Sequence, residues 1–128
     1  MWVRFNPNPA GKSVGDCAVR AVAVATNQTW TRAYMALCSQ GKLEYDMPSA
    51  DVVWGAYLRS MGFTRNAIPD SCPDCYTVTD FCKDHPQGVY VLATGKHAVC
   101  VIDGAYYDAW DSGNEVPIFY WRDGNGVQ

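Results

Sequence analysis

The 128-residue chain contains no apolar run near the roughly 18 residues that a bilayer-crossing helix needs, which argues against a membrane span. It has no internal repeat and no low-complexity tract, so a solenoid or repeat array is excluded. Positive charge is sparse. Ten Lys and Arg against thirteen Asp and Glu give a net charge of −3, which removes the electrostatic reason to expect nucleic acid or an anionic membrane as a partner. The opening Met1-Trp2-Val3-Arg4-Phe5-Asn6-Pro7 lacks the basic-then-apolar order of a secretory signal, and the expectation is a cytoplasmic protein.

The residues that are present, 48% hydrophobic and 13% aromatic, describe one well-packed domain over 1–128. Small molecules or protein chains are the partners this composition leaves. The six cysteines, at 17, 38, 72, 75, 82 and 100, are expected as free thiols, since no secretory signal precedes them and three lie inside periodic patterns.

Turn and cap signals divide the chain into a helical front half and a sheet-forming back half. Met1 to Phe5 reads as an edge strand, and Asn6 to Val14, with two prolines and Gly11, as a loop. The Ala- and Val-rich run from Asp16 to Thr26 reads as a buried helix with Arg20 as its lone charge after Asp16. A second helix is capped by Thr29 or Thr31 and ends at Gly41, and a third runs from Ser49 to Met61. Phe63 to Ile68 is a strand, Thr77 to His85 a short helix closed by Pro86, and four strands follow: Val89 to Thr94, His97 to Ile102, Ala105 to Trp110 and Val116 to Arg122. Their spacing predicts an antiparallel meander, and the last few residues read as a frayed end. The fold class is therefore α+β, a helical N-terminal half packed on an antiparallel sheet.

Two residue types within this frame carry chemistry. Cys17 falls in the first turn of the first helix, where unpaired N–H groups and the macrodipole favour a thiolate. His97 opens a strand and offers a base. Asp103-Gly104 predicts a two-residue hairpin, so that residues whose numbers sum to 207 face each other. Val99 then faces Asp108, His97 faces Trp110, and the Asp108 carboxylate lies diagonal to the imidazole. A one-residue slip would exchange Asp108 for Asp111. Taken singly, Cys17 reads as an inert small hydrophobe and His97 as a satisfied polar residue. The joint placement favours catalysis. Asp16, next to the sulfur, is expected to spend its carboxylate on backbone N–H groups as an N-cap.

Gly15-Asp16-Cys17 before a small-residue helix, His97-Ala98-Val99 opening a strand and Asp108-Ala109-Trp110 on the next resemble, in chain order, the nucleophile, base and Asn-x-Trp elements of papain-like cysteine peptidases. The Asp-Cys pair is also similar to the bacterial branch that trims peptide leaders in export systems, whose third member is an Asp. The resemblance spans about residues 6 to 122 and implies a minimal papain-like fold. It implies that Cys17 attacks a carbonyl, His97 shuttles the proton, Asp108 orients the imidazole and Trp110 shields that bond. The substrate would be a peptide or protein, the bond peptide, isopeptide or side-chain amide, and no cofactor is called for. A thiol acyltransferase would need the same residues. Where the family carries a Gln six residues before the nucleophile, this chain has Gly11, which leaves the oxyanion to the Cys17 N–H and to Asn6 or Asn8. The short chain implies a shallow cleft that a partner or a homodimer could complete. The missing Gln also admits a papain-like binding module without turnover.

A second constellation, Cys72 and Cys75 with Cys82 and His85, has the form of a zinc-ligand set with an unusually short spacer, and gives the competing expectation of a small zinc-stabilised interaction domain. Trp30, Trp54, Phe119, Tyr120 and Trp121 are expected in the core, while Tyr106, Tyr107 and Tyr120 either line a peptide groove or cover the sheet.

Overall fold

The computed structural model describes residues 1–124, and the frayed end expected for the last few residues lies outside them. Ten elements follow in the order β1 (Trp2–Arg4), α1 (Cys17–Ala25), α2 (Trp30–Glu44), α3 (Asp51–Ser60), β2 (Phe63–Ala67), α4 (Val78–Asp84), β3 (Val89–Ala93), β4 (Ala98–Ile102), β5 (Ala105–Asp108) and β6 (Phe119–Asp123). The six strands form one sheet in the order β1-β5-β4-β3-β6-β2, which establishes the α+β class. Among the described residues no helix is long and apolar enough to cross a membrane.

Alternation along β3 and β4 sends side chains to two cores. Val91, Ala93, Ala98 and Cys100 pack with α1, α2 and α3, while Tyr90, Leu92, Val99 and Val101 pack with Val78, Phe81 and Cys82 of α4. Both faces are covered, and this is why the two strands read as continuous apolar runs. Trp54, Phe119 and Trp121 are buried as expected, Trp30 and Tyr120 only in part, and Tyr106 is buried with its hydroxyl donating to Asp111, so it lines no groove.

The β3-β4-β5 meander forms as predicted, with Ile102 opposite Ala105, Val101 opposite Tyr106 and Cys100 opposite Tyr107. Asp103 and Gly104 sit at φ 49° and 80°, the two left-handed positions of a type I′ turn. The meander goes no further. The last strand returns beside β3, because the other edge of β5 is taken by β1 in parallel register, Trp2 opposite Tyr106 and Arg4 opposite Asp108. The sheet is therefore mixed rather than wholly antiparallel.

Helix ends differ from expectation at two points. Gly41 does not stop α2 but lies buried inside it, where an added Cβ would sit 2.6 Å from the Asp46 carbonyl; the left-handed stop is Tyr45. The third helix is entered through Ala50 rather than Ser49. Thr29 caps α2 and Thr77 caps α4 in a reciprocal capping box with Asp80.

Candidate active site

Three chain segments converge at one end of the sheet: the start of α1, the start of β4 and the end of β5. Cys17 is the first residue of α1 and half-buried. An α-helix leaves its first N–H groups without intrahelical acceptors, so the Cys17 N–H is free to donate to an oxyanion beside its own sulfur. His97 lies one residue before β4, held by the hairpin between β3 and β4, in which the Thr94 N–H donates to the His97 carbonyl at 2.9 Å.

The imidazole Nε2 is 2.6 Å from Oδ2 of Asp108, the last residue of β5, and the ring is also hydrogen-bonded to the Cys17 thiol. Burial alone would lower the imidazole's pKa, yet the bonds and charges of Asp108 and Cys17 push it up to about 9. Burial likewise opposes ionisation of Cys17, and the His97 hydrogen bond, the Ala98 backbone and the nearby cations overcome it, so that the thiol lies below its ordinary value. Burial raises the other two free thiols of the core, Cys82 and Cys100. Trp110 packs its ring on His97 with centroids 4.7 Å apart and leaves its outer face to solvent. Asp111, the alternative to Asp108, is instead tied to the Tyr106 hydroxyl and the Gly113 N–H.

The Asp108 carboxylate, 1% exposed, is fully subscribed. Beyond His97 it accepts from the Ser112 hydroxyl at 2.5 Å, the Ala109 N–H at 2.8 Å and the Arg20 guanidinium at 3.0 Å. Burial would raise its pKa, and these donors, His97 foremost, bring it below the usual carboxylate value. Arg20 also pairs with Asp16, whose second oxygen accepts from the Trp30 indole N–H at 2.8 Å. Asp16 therefore makes no side-chain cap, contrary to expectation. Arg20 and the Trp30 N–H, instead of helix N–H groups, take up its charge, which offsets its effect on the neighbouring sulfur.

Sequence reasoning assigned no role to Arg20 or Ser112. A signal for Arg20 existed. A lone cation in an otherwise apolar buried helix must find anions, and Asp16 stands one turn before it on the same face. Ser112 lies in a loop and gave no comparable sign.

Asn6 and Asn8 shape the loop before Cys17. The Asn6 amide donates to the Lys12 carbonyl at 3.2 Å, and the Asn8 side-chain oxygen accepts from the Ala10 and Lys12 N–H groups. Among the described residues neither is hydrogen-bonded to Cys17, and the Asn6 amide is committed elsewhere.

The zinc set is not assembled. Cys72 and Cys75 are joined as a disulfide, contrary to the expectation of six free thiols, so neither presents a thiolate. Cys82 is buried in α4, and His85 stacks on Phe81 at 3.7 Å. Among the described residues no cluster of three or more His, Cys, Asp or Glu is arranged to hold a metal ion.

No family model matches the chain, and neither does any curated protein or solved structure searched with it.

Proposed function

We propose that this chain is a papain-like cysteine peptidase or related thiol hydrolase, with Cys17 as nucleophile, His97 as base and acid, and Asp108 orienting the imidazole. The observation that carries this reading is the continuous hydrogen-bonded chain from the Cys17 thiol through His97 to a buried, fully paired Asp108.

The thiolate attacks a peptide, isopeptide or amide carbonyl, forming a C–S bond while the Cys17 N–H donates to the oxyanion. His97 passes its proton to the leaving nitrogen as the C–N bond breaks, leaving a thioester on Cys17. It then takes a proton from water, whose oxygen attacks the thioester and releases the acid and the thiol. An amine in place of that water would make the same site an acyltransferase. Gly11, where the resembled family has its Gln, supports a second reading as a binding module without turnover.

Site-resolved alkylation at limiting iodoacetamide near pH 6, mapped by mass spectrometry, tests the reading, because ordinary thiols are almost wholly protonated there. Cys17 should react far faster than the other free thiols and lose that advantage in His97→Ala. Equal rates would remove the activated dyad and favour the binding module.

A further inference from the structure

Two guanidiniums stand side by side at the β6–β2 end of the strand order, over a groove that neither Cys17 nor His97 lines. Phe119 and Trp121 alternate onto one face of β6, about 6.7 Å apart along the strand. Arg65, from the edge strand β2, lies over the Phe119 ring at 4.1 Å, and Arg59, from the last turn of α3, over the Trp121 ring at 5.0 Å. Among the described residues neither guanidinium meets a protein acceptor or pairs with a carboxylate. Stacking engages the flat faces and leaves the N–H edges of both forks unspent. Both side chains line the groove, about 480 Å³ in volume, between α3 and the sheet. A third donor lies in the same wall. Trp121 is 3% exposed, and its indole N–H has no partner among the described residues, which is rare for a buried donor. Gly55, also a groove residue, sits against that indole: an added Cβ would lie 3.4 Å from Cε2, the carbon bonded to the nitrogen.

We propose that this groove binds a small monocarboxylate with an apolar body, its carboxylate held between Arg59 and Arg65 and accepting from the Trp121 indole N–H. The proposal is independent of the thiol-hydrolase reading. Two like charges over neighbouring rings repel, and one anion between them satisfies both, with the fork geometry that guanidinium and carboxylate share. Arg59 is an exposed, long side chain covering the Trp121 ring, so a carboxylate that it clamps is brought to the buried donor that lacks an acceptor. The limit to one negative charge follows from the other mouth of the groove, which is acidic. Asp51 opens α3 eight residues before Arg59, about 12 Å along the helix, and Glu44 ends α2. These two carboxylates accept from the Trp54 indole and the Gln40 amide and would repel a second anionic group at that end. Between the two mouths Val52, Ala56 and the edges of the rings offer apolar surface, and the volume lies in the range of small-molecule sites.

The test is an NMR titration of the nitrogen-labelled protein, with its indole N–H resonances assigned, against phenylacetate, its neutral analogue phenylacetamide, and homoterephthalate, which adds a second carboxylate at the far end of the ring. Phenylacetate should move the Trp121 indole resonance in a saturable way and leave the other four indoles nearly still. It should bind at least about ten-fold more tightly than the amide, the worth of one charge-assisted hydrogen bond, and homoterephthalate should bind more weakly than phenylacetate. Arg59→Gln and Arg65→Gln should each weaken phenylacetate by about ten-fold or more, and Arg65→Lys by less than Arg65→Gln. Both arginines are exposed, so these variants should fold, and the unmoved indoles report that they have. A Trp121 resonance that phenylacetate leaves in place overturns the proposal. So does equal binding of acid and amide, which would make the groove merely apolar, or undiminished binding in both Gln variants. Tighter binding of homoterephthalate overturns the limit to one charge.

Discussion

Arg20 Nη2 lies 3.0 Å from Asp108 Oδ1, joining the first helix to the end of β5 across 88 residues of sequence, with side chains 7% and 1% exposed. The contact ties the element bearing the Cys17 thiol to the one bearing the carboxylate that His97 meets. A buried pair of this kind contributes little net stability when whole, but breaking it strands an uncompensated charge. Arg20→Met leaves Asp16 without a cation and takes one donor from Asp108, which keeps His97, Ser112 and Ala109, and should cost about 3–5 kcal/mol in urea unfolding. Arg20→Lys keeps the charge but loses the planar fork that serves both carboxylates at once, and should recover part of the loss. A near-neutral Arg20→Met would mean that the guanidinium does not hold this junction.

Asp108→Asn separates charge from shape. The amide can still accept from Ser112 or Arg20, but the anion that opposes burial of the imidazole is gone. His97, pushed up to about 9 in the wild type, should titrate well below that value when its ring protons are followed by NMR. The thiolate fraction of Cys17 near pH 6 should fall with it, roughly ten-fold for each pH unit by which the thiol pKa rises. An unchanged imidazole titration would remove Asp108 from its assigned role.

The parts of the fold written in local sequence were legible. Asp103-Gly104 encodes a turn that only left-handed residues make, and it set the β4–β5 register and with it the meeting of His97 and Asp108. Thr77 and the period of the first helix acted in the same way. Long-range choices were not legible. Nothing near Trp2–Arg4 tells whether it pairs parallel or antiparallel, and nothing in the linker before β6 says that it crosses back to β3. Gly41 misled because a glycine required for close backbone approach looks, in sequence, like one that ends a helix. Arg20 was visible as an anomaly but not as a contact, since its second anion lies 88 residues away.

The turn itself can be tested. At Gly104 φ is +80° and an added Cβ would lie 3.3 Å from the Cys82 carbonyl. Gly104→Val should therefore cost about 1–2 kcal/mol from backbone strain alone. Asp103→Asn should be nearly neutral, because Asn tolerates the left-handed region and its oxygen can still accept from the Gly88 N–H, 2.9 Å away in the wild type. Urea midpoints of the two variants check both outcomes.

Thiol counting discriminates the disulfide from the zinc set. Denatured without reductant, the protein should present the four free cysteines 17, 38, 82 and 100 to a thiol reagent, and six after reduction. The disulfide spans a sequence separation of only three, so it removes little chain entropy and its reduction should shift the melting temperature little. Six reactive thiols before reduction, with loss of structure on adding a chelator, would instead support the metal-stabilised domain.

The shared proton of the dyad makes a prediction about stability and pH. His97, about 9 in the fold against 6.5 ordinarily, contributes stability in full below 6.5 and loses it as the pH rises toward about 9. Cys17 runs the other way: lowered from 9.0, it contributes above that ordinary value and loses its share as the pH falls through its native one. In the part of the window from 6.5 to about 9 that lies above the lowered native value of Cys17, the unfolded chain holds one proton of the pair, on sulfur, and the native protein also holds one, on the imidazole. Equal proton counts mean no slope, so the pair should leave wild-type stability flat there. Cys17→Ala breaks the balance. Its native imidazole, still beside Asp108, keeps a proton that the unfolded chain has released, so stability should fall with rising pH, by at most about 1.4 kcal/mol per pH unit. The fall should end below about 9, because the thiolate that helped to raise His97 is gone. Urea midpoints of both proteins across the window measure the difference, and parallel profiles would mean that sulfur and imidazole do not share the proton.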